Sequence, residues 1–123
     1  MKLPIIIIAV LIATPLAPAL RFEVIDDDLL HNIARVESNH NDKAVSNRGA
    51  IGRYQIRHAI WGRELKRLGI IKNKKDLFNR DKNELAARYI LNKYYNETGN
   101  LEKALEKYSG NACNYYKKVM KED

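Results

Sequence analysis

The sequence predicts a single, mainly α-helical domain with a polar loop or short β element after its first helix. Apolar side chains recur at helical spacing through most of the chain, without an internal repeat or a low-complexity linker. Residues 39–56 break that periodicity with polar side chains and glycines. All three prolines lie at or before Pro18, so none interrupts the later helices. The 123 residues leave room for one small domain.

The N-terminal segment has the composition of an export signal. Residues 3–20 carry no charge, follow Lys2 and hold Ala17 and Ala19 at the spacing that a signal peptidase reads. We therefore expect residues 1–19 to be a signal peptide and residues 20–123 to form the domain. An uncleaved anchor is the alternative, because this apolar run is about the minimum for a bilayer span. Prolines in its second half would disturb such a helix, which favours cleavage.

Capping residues and apolar spacing predict five helices. Three aspartates at 26–28 precede apolar side chains at positions 29, 30, 33 and 36, which indicates a first helix. A second covers residues 60–68. Asp81 and Glu84 resemble a capping box that opens a third helix. Asn100 can cap a fourth helix, and the last carries residues 115–120.

The net charge of the chain indicates which class of partner it binds. The net charge is +7, and removal of Lys2 with the signal peptide leaves +6. A basic chain favours an anionic partner. Because exported proteins seldom meet nucleic acid, we expect a cell-wall polymer or a membrane surface and no nucleic acid.

The cysteine and histidine content indicates that the hydrophobic core alone stabilises the fold, without a disulfide or a metal. Cys113 is the single cysteine, so no internal disulfide can form, and we assign it to the core as a small apolar residue. Trp61 and Tyr115 are assigned to the core as well. The three histidines lack the spacing of metal ligands, so we expect no metal and no other cofactor.

The first helix ends on a carboxylate that shares its apolar side. With Leu29 at zero and about 100° per residue, Ile33 falls near ~40° and Glu37 near ~80° on the helical wheel. Partial burial and the negative end of the helix dipole would both raise the pKa of Glu37. An acid that stays protonated near neutral pH can protonate a glycosidic oxygen. The plain alternative is a glutamate that turns its charge to solvent.

The residues around and after Glu37 form a motif. Glu37-Ser38 is followed by an Ala-x-Ser element at 44–46 and by Gly-Ala-Ile-Gly-Arg-Tyr-Gln-Ile at 49–56. This pattern resembles the signature of lytic transglycosylases of the soluble-lytic-transglycosylase type, in the lysozyme-like superfamily. It keeps its internal spacing over about twenty residues, which seldom arises by chance. A weaker similarity follows in Tyr89-Ile90, in Tyr-Ser-Gly-Asn at 108–111 and in Tyr116 with Val119.

The chain departs from the family pattern at three places. Arg53-Tyr54 replaces a common Leu-Met, and Arg57-His58 lacks a frequent proline, which affects the expected subsite preference. Ser109 replaces the usual asparagine beside Tyr108. None of these changes removes the carboxylate.

The resemblance implies an α+β lysozyme-like fold and a peptidoglycan lytic transglycosylase. Such an enzyme cleaves the β-1,4 bond between N-acetylmuramic acid and N-acetylglucosamine without water and gives 1,6-anhydromuramoyl products. Glu37 would be catalytic and make both proton transfers, so a second carboxylate is unnecessary. Ser46 would hydrogen-bond Glu37 or the substrate acetamido group, Gln55 would line the saccharide cleft, and Tyr108 would place its hydroxyl near Glu37. Their plainer alternatives are a turn serine, a surface glutamine and a core tyrosine.

Two other functions stay open at this point. A lysozyme-type muramidase would need a second carboxylate, for which Asp42 is the nearest candidate. A non-catalytic murein-binding component of an envelope-spanning assembly is the alternative outside enzymes. We expect an exported monomer of the periplasm or cell envelope, bound to peptidoglycan strands and to a membrane only through its N-terminal segment. A secretion or conjugation apparatus and a phage lysis machinery both suit such a protein.

Overall fold

The computed structural model of the chain describes residues 24–121, which form a mainly helical domain with a small sheet after the first helix, as predicted. Its elements are α1 (Asp27–Ser38), β1 (Ala50–Ile51), β2 (Ile56–Arg57), α2 (His58–Arg67), a 3₁₀ helix (Lys74–Phe78), α3 (Arg80–Thr98), α4 (Leu101–Tyr108) and α5 (Tyr115–Met120). The predicted signal peptide, residues 1–19, lies outside the described residues. Within residues 24–121, no helix has the length and apolar character that crossing a membrane requires.

Two of the predicted helix starts are confirmed by their capping bonds. Asp26 accepts a hydrogen bond from the Leu29 backbone N–H through Oδ1 at 2.8 Å, at the start of α1. Asn100 does the same for the Lys103 N–H at 2.9 Å, at the start of α4. These side chains satisfy backbone donors that the first turn of a helix leaves unpaired.

The predicted capping box at Asp81 and Glu84 is wrong. Helix α3 begins at Arg80, and Asn79 caps it by accepting from the Lys82 N–H at 3.0 Å. Glu84 instead lies 3.4 Å from the guanidinium of Arg88, one turn further along the helix. The basic loop before α3 also contains the short 3₁₀ helix, which the sequence analysis did not predict.

The core is formed by one face of each helix together with the sheet. Helix α1 buries the predicted residues Leu29, Leu30 and Ile33. Helices α3 and α4 pack against each other, and the fully buried large side chains include Leu65, Ile71, Leu77, Leu91, Leu105 and Val119. Cys113 is exposed, so its assignment to the core is wrong. It lies in the connection between α4 and α5, which runs over the surface as connections between helices do.

A buried carboxamide holds the β1–β2 hairpin against α3. In the hairpin, Ile51 pairs with Ile56 across an antiparallel ladder. The Asn83 side chain, 1 % exposed, donates through Nδ2 to the carbonyls of Ile51 at 2.9 Å and Leu77 at 2.7 Å. Its Oδ1 accepts from the Tyr54 N–H at 2.8 Å. One side chain therefore satisfies three buried backbone groups from two segments.

Gly52 makes this approach of hairpin and helix possible. Its φ of +82° lies in the left-handed region, which costs glycine little. A Cβ at this position would lie 2.4 Å from Asn83 Nδ2 and 2.6 Å from the Leu77 carbonyl oxygen. Any larger residue would push the hairpin away from α3.

We predict that Asn83→Ala lowers the free energy of unfolding by roughly 3 kcal/mol, because it leaves the three buried backbone groups without partners. Urea denaturation followed by circular dichroism measures the change. Asn92→Ala is the matched control, since Asn92 is an exposed residue of the same helix, and it should change stability by less than about 0.5 kcal/mol. Equal losses in the two variants would contradict the clamping role of Asn83.

Candidate active site

Glu37 lies in the last turn of α1, where it lines a cleft of about 270 Å³. The walls of the cleft come from the hairpin and from helices α2, α3 and α4. The three other residues predicted for the site, Ser46, Gln55 and Tyr108, line the same cleft. The fold therefore brings together four residues that are up to 71 positions apart in the chain (108 − 37).

The carboxyl group of Glu37 is half-buried and accepts a hydrogen bond from Tyr115. The Tyr115 hydroxyl, in the first turn of α5, lies 2.5 Å from Glu37 Oε2. Burial raises the pKa of Glu37, because removal from water disfavours the charged form, while the Tyr115 bond lowers it by a smaller amount. The net result is a raised pKa, in the direction that the helical wheel predicts.

Tyr115 remains a hydrogen-bond donor over the whole physiological pH range. Its side chain is buried, at 5 % exposure, as its assignment to the core predicts. Burial and the nearby Glu37 carboxylate both raise the pKa of Tyr115 far above its ordinary value. The contact between Tyr115 and Glu37 could not be predicted from the sequence, because it depends on how α5 packs against α1.

Tyr108 directs its hydroxyl to the hairpin. The hydroxyl donates to the Tyr54 backbone carbonyl at 2.7 Å. Burial is the largest cause of a raised pKa for Tyr108, and the Glu37 charge adds to it, so the two side chains are electrostatic neighbours. Tyr108 thus joins α4 to the hairpin across the cleft, while Tyr115 supplies the hydroxyl that binds Glu37.

Ser46 closes a turn beside the cleft. Its Oγ accepts from the backbone N–H groups of Arg48 at 3.2 Å and Ala50 at 3.1 Å, and its own N–H donates to the Ala50 carbonyl at 2.9 Å. This is the geometry of the turn serine that the sequence analysis held as an alternative. The side chain is exposed and lines the cleft, so its hydroxyl proton is available for a ligand.

Gln55 presents a carboxamide to the cleft from a fixed backbone. Its Nε2 donates to the carbonyls of Gly52 at 3.0 Å and Ala44 at 3.4 Å. Its φ of +55° is left-handed, an uncommon conformation for a residue with a side chain. Within residues 24–121 the amide oxygen has no donor, so it can accept a hydrogen bond from a bound sugar.

Ser38 has a role that the sequence analysis did not assign. Its hydroxyl donates to the Arg53 backbone carbonyl at 2.7 Å, which ties the end of α1 to the hairpin turn. The bond lies one residue after Glu37, so it fixes the helix end that carries the carboxyl group. The adjacency of the two residues in the Glu-Ser motif was the available signal.

Asp42 is engaged away from the cleft. Its Oδ1 lies 2.7 Å from Arg53 Nε in an ion pair whose guanidinium is largely buried, at 11 % side-chain exposure. Asp42 is not among the residues that line the Glu37 cleft. Arg53, one of the departures from the family pattern, therefore forms an ion pair with Asp42, the nearest candidate for the second carboxylate of a hydrolase.

Trp61 is half-buried and lines the cleft, where it packs edge-on against Tyr94 with ring centroids 5.8 Å apart. Its assignment to the core thus holds for only part of the side chain. Within residues 24–121 no group of three or more His, Cys, Asp or Glu side chains could hold a metal ion.

The chain belongs to the family described as Transglycosylase SLT domain, which it matches over residues 18–122. This match confirms the resemblance that the motif around Glu37 indicated. Membership supports a peptidoglycan-acting function of the lytic transglycosylase type. No curated protein and no solved structure matches the chain significantly.

We predict that Tyr115→Phe raises the pKa of Glu37 further, because the hydroxyl that stabilises the carboxylate is lost. A carbon NMR titration of the Glu37 carboxyl group measures this value directly. Tyr116→Phe is the matched control, since the neighbouring half-buried tyrosine makes no hydroxyl hydrogen bond within the described residues. A fall in the Glu37 pKa on loss of the Tyr115 hydroxyl would contradict the geometry described above.

Proposed function

We propose that the protein is a peptidoglycan lytic transglycosylase that cleaves the bond between N-acetylmuramic acid and N-acetylglucosamine without water. The observation that carries this proposal is a single acid in a cleft. Glu37 is the one carboxylic acid among the described residues that line it, and its pKa is raised by burial. One acid whose pKa is raised, with no second carboxylic acid among the described residues of the cleft, suits a reaction in which the same group acts twice.

In the first step Glu37 is a general acid. Its Oε2 is held by Tyr115, which leaves Oε1 to carry the proton toward the glycosidic oxygen. As the bond between that oxygen and the muramyl anomeric carbon breaks, the oxygen takes the proton and the carbon becomes oxocarbenium-like. The acetamido group of the substrate can stabilise that centre. Glu37 is now a carboxylate, and the Tyr115 hydroxyl stabilises its charge.

In the second step Glu37 is a general base. It takes the proton of the muramyl 6-hydroxyl while that oxygen bonds to the anomeric carbon and closes the 1,6-anhydro ring. The proton that left Glu37 in the first step is thereby replaced, so the enzyme returns to its starting state. No water enters and no second carboxylate is required.

We propose that Ser46 and Gln55 contact the substrate directly and that Tyr108 supports its binding. The Ser46 hydroxyl can donate to the acetamido group, and the Gln55 amide oxygen can accept from a sugar hydroxyl or amide. Tyr108 acts through its bond to Tyr54, which keeps the α4 wall of the cleft in place against the hairpin. Both cleft walls are therefore set before the substrate arrives, which lowers the cost of binding it.

The hydrolase alternative is disfavoured by the position of Asp42. A water-activating carboxylate must face the cleft, whereas Asp42 forms an ion pair with Arg53 and does not line it. A murein-binding component without catalysis would gain nothing from a half-buried acid of raised pKa, because that burial costs stability whenever the acid ionises. The proposed transglycosylase reaction uses both the burial of Glu37 and its raised pKa.

The biological setting follows from the predicted export signal. We propose an exported monomer of the periplasm or cell envelope whose substrate is the glycan strand of peptidoglycan. It would open the wall locally, for a secretion or conjugation apparatus or for phage entry or lysis. The basic net charge of +7 suits an anionic wall surface.

We predict that Glu37→Gln lowers the rate of peptidoglycan cleavage by about 100-fold or more, because the amide cannot transfer the proton. Mass spectrometry of the released soluble muropeptides measures both rate and product. The parent chain should release muropeptides one water lighter than hydrolytic ones, with 1,6-anhydromuramic ends. A Glu37→Gln variant as active as the parent would contradict the assignment of Glu37.

Asp42→Asn provides the control that separates the two enzyme types. A transglycosylase should retain its activity within about threefold, since the substitution breaks a partly exposed ion pair outside the cleft. Reducing ends in the products, together with loss of activity in this variant, would instead identify a lysozyme-type hydrolase.

A further inference from the structure

The rim of the Glu37 cleft is cationic. Arg48, Arg57 and Lys107 line the cleft, and Glu37 is the one acidic side chain among the described residues that do so. Arg48 lies in the turn that Ser46 closes, Arg57 ends β2, and Lys107 lies in the last turn of α4. We call these three side chains the cationic rim. They come from both the hairpin wall and the α4 wall.

The two arginines of the cationic rim have no acidic partner among the described residues. Arg48 and Arg57 are exposed, and within residues 24–121 neither forms an ion pair. Lys107 lies 3.8 Å from Glu97, but both side chains are about half-exposed, at 50 % and 47 %, so this contact is weak. By contrast, Lys93, which lies over the Trp61 ring, is paired with Glu64 at 3.1 Å. The rim therefore leaves positive charge available.

The backbone holds the two arginines in a fixed relation. Ala50 pairs with Arg57 in the hairpin ladder, and the Ser46 N–H donates to the Ala50 carbonyl at 2.9 Å. The turn that carries Arg48 thus lies beside the strand end that carries Arg57. Guanidinium groups on an ordered backbone suit carboxylates and phosphates, because each can donate two parallel hydrogen bonds to two oxygens of such an anion.

We propose that the cationic rim binds anionic groups carried on the glycan strand, either carboxylates of the stem peptides or phosphodiesters of attached wall polymers. The proposal rests on the function proposed above and adds a preference for substituted, negatively charged strands over neutral ones. A neutral hexosamine chain would give the three cations no partner. An anion beside the scissile sugar would give them one and would also steer the strand toward the cleft.

Chemically matched substrates test this preference. Peptidoglycan whose amines are acetylated supplies the charged strand, and the same material with its carboxylates converted to carboxamides supplies the neutral one. Wall material before and after removal of its phosphodiester-linked polymers separates phosphate from carboxylate. Binding is measured by co-sedimentation of the Glu37→Gln variant, and cleavage is measured with Glu37 intact.

We expect conversion of the recognised anion to lower binding by about tenfold, the effect of two or three weak charge pairs. The triple variant R48Q/R57Q/K107Q should lose the same factor on charged substrate and none on neutral substrate. The variant R63Q/R67Q/K103Q is the matched control, because it removes the same charge from exposed positions outside the cleft. It should retain the preference of the parent.

The outcomes separate this inference from the proposed function. Equal binding of charged and neutral strands, or equal losses in the two triple variants, would overturn the role of the cationic rim. Cleavage that continues at the same rate on neutral strands would overturn it as well and would leave the transglycosylase proposal standing. No cleavage of any substrate by the parent chain would overturn the proposed function itself. Loss of binding on removal of only one anion type identifies which one the rim recognises.

Discussion

The hydrogen bond from Tyr115 to Glu37 is the contact on which the site depends. It joins the first and the last described helix, and the two bonded residues are 78 positions apart in the chain. The bond holds one carboxyl oxygen in the half-buried floor of the cleft and lowers the pKa of Glu37, while burial raises it by more. The two effects act in opposite directions on the carboxyl group that we propose to transfer a proton twice.

The walls around this acid are joined by hydrogen bonds from three polar side chains. Asn83 fixes the hairpin from α3, Ser38 fixes it from the end of α1, and the Tyr108 hydroxyl fixes it from α4. All three bonds go to backbone atoms of residues 51–54, so the hairpin cannot shift without losing them. The side chains that we propose for catalysis and binding therefore stand on an ordered frame, and the cationic rim lies along the same cleft.

Local sequence patterns correctly predicted the features that depend on interactions between residues close together in the chain. The aspartate cap and the helical wheel placed Glu37 on the apolar side of α1, because helix periodicity is a property of neighbouring residues. Tyr115 could not be paired with Glu37 in this way, since the contact forms only when α5 packs. Asn83 was given no role of its own, although its spacing with Ala86, Ala87 and Ile90 puts it on the buried face of α3. That spacing was the signal for a buried amide.

Whether the bond is cleaved without water can be tested directly by digesting peptidoglycan in water enriched in the heavy oxygen isotope. The released muropeptides are then analysed by mass spectrometry. If Glu37 acts alone and the 6-hydroxyl closes the ring, no solvent oxygen enters the products. A hydrolytic muramidase run in parallel should incorporate the label at each new reducing end. Heavy oxygen in the muramic acid released by this protein would show that water takes part in the reaction and would contradict the proposed role of Glu37.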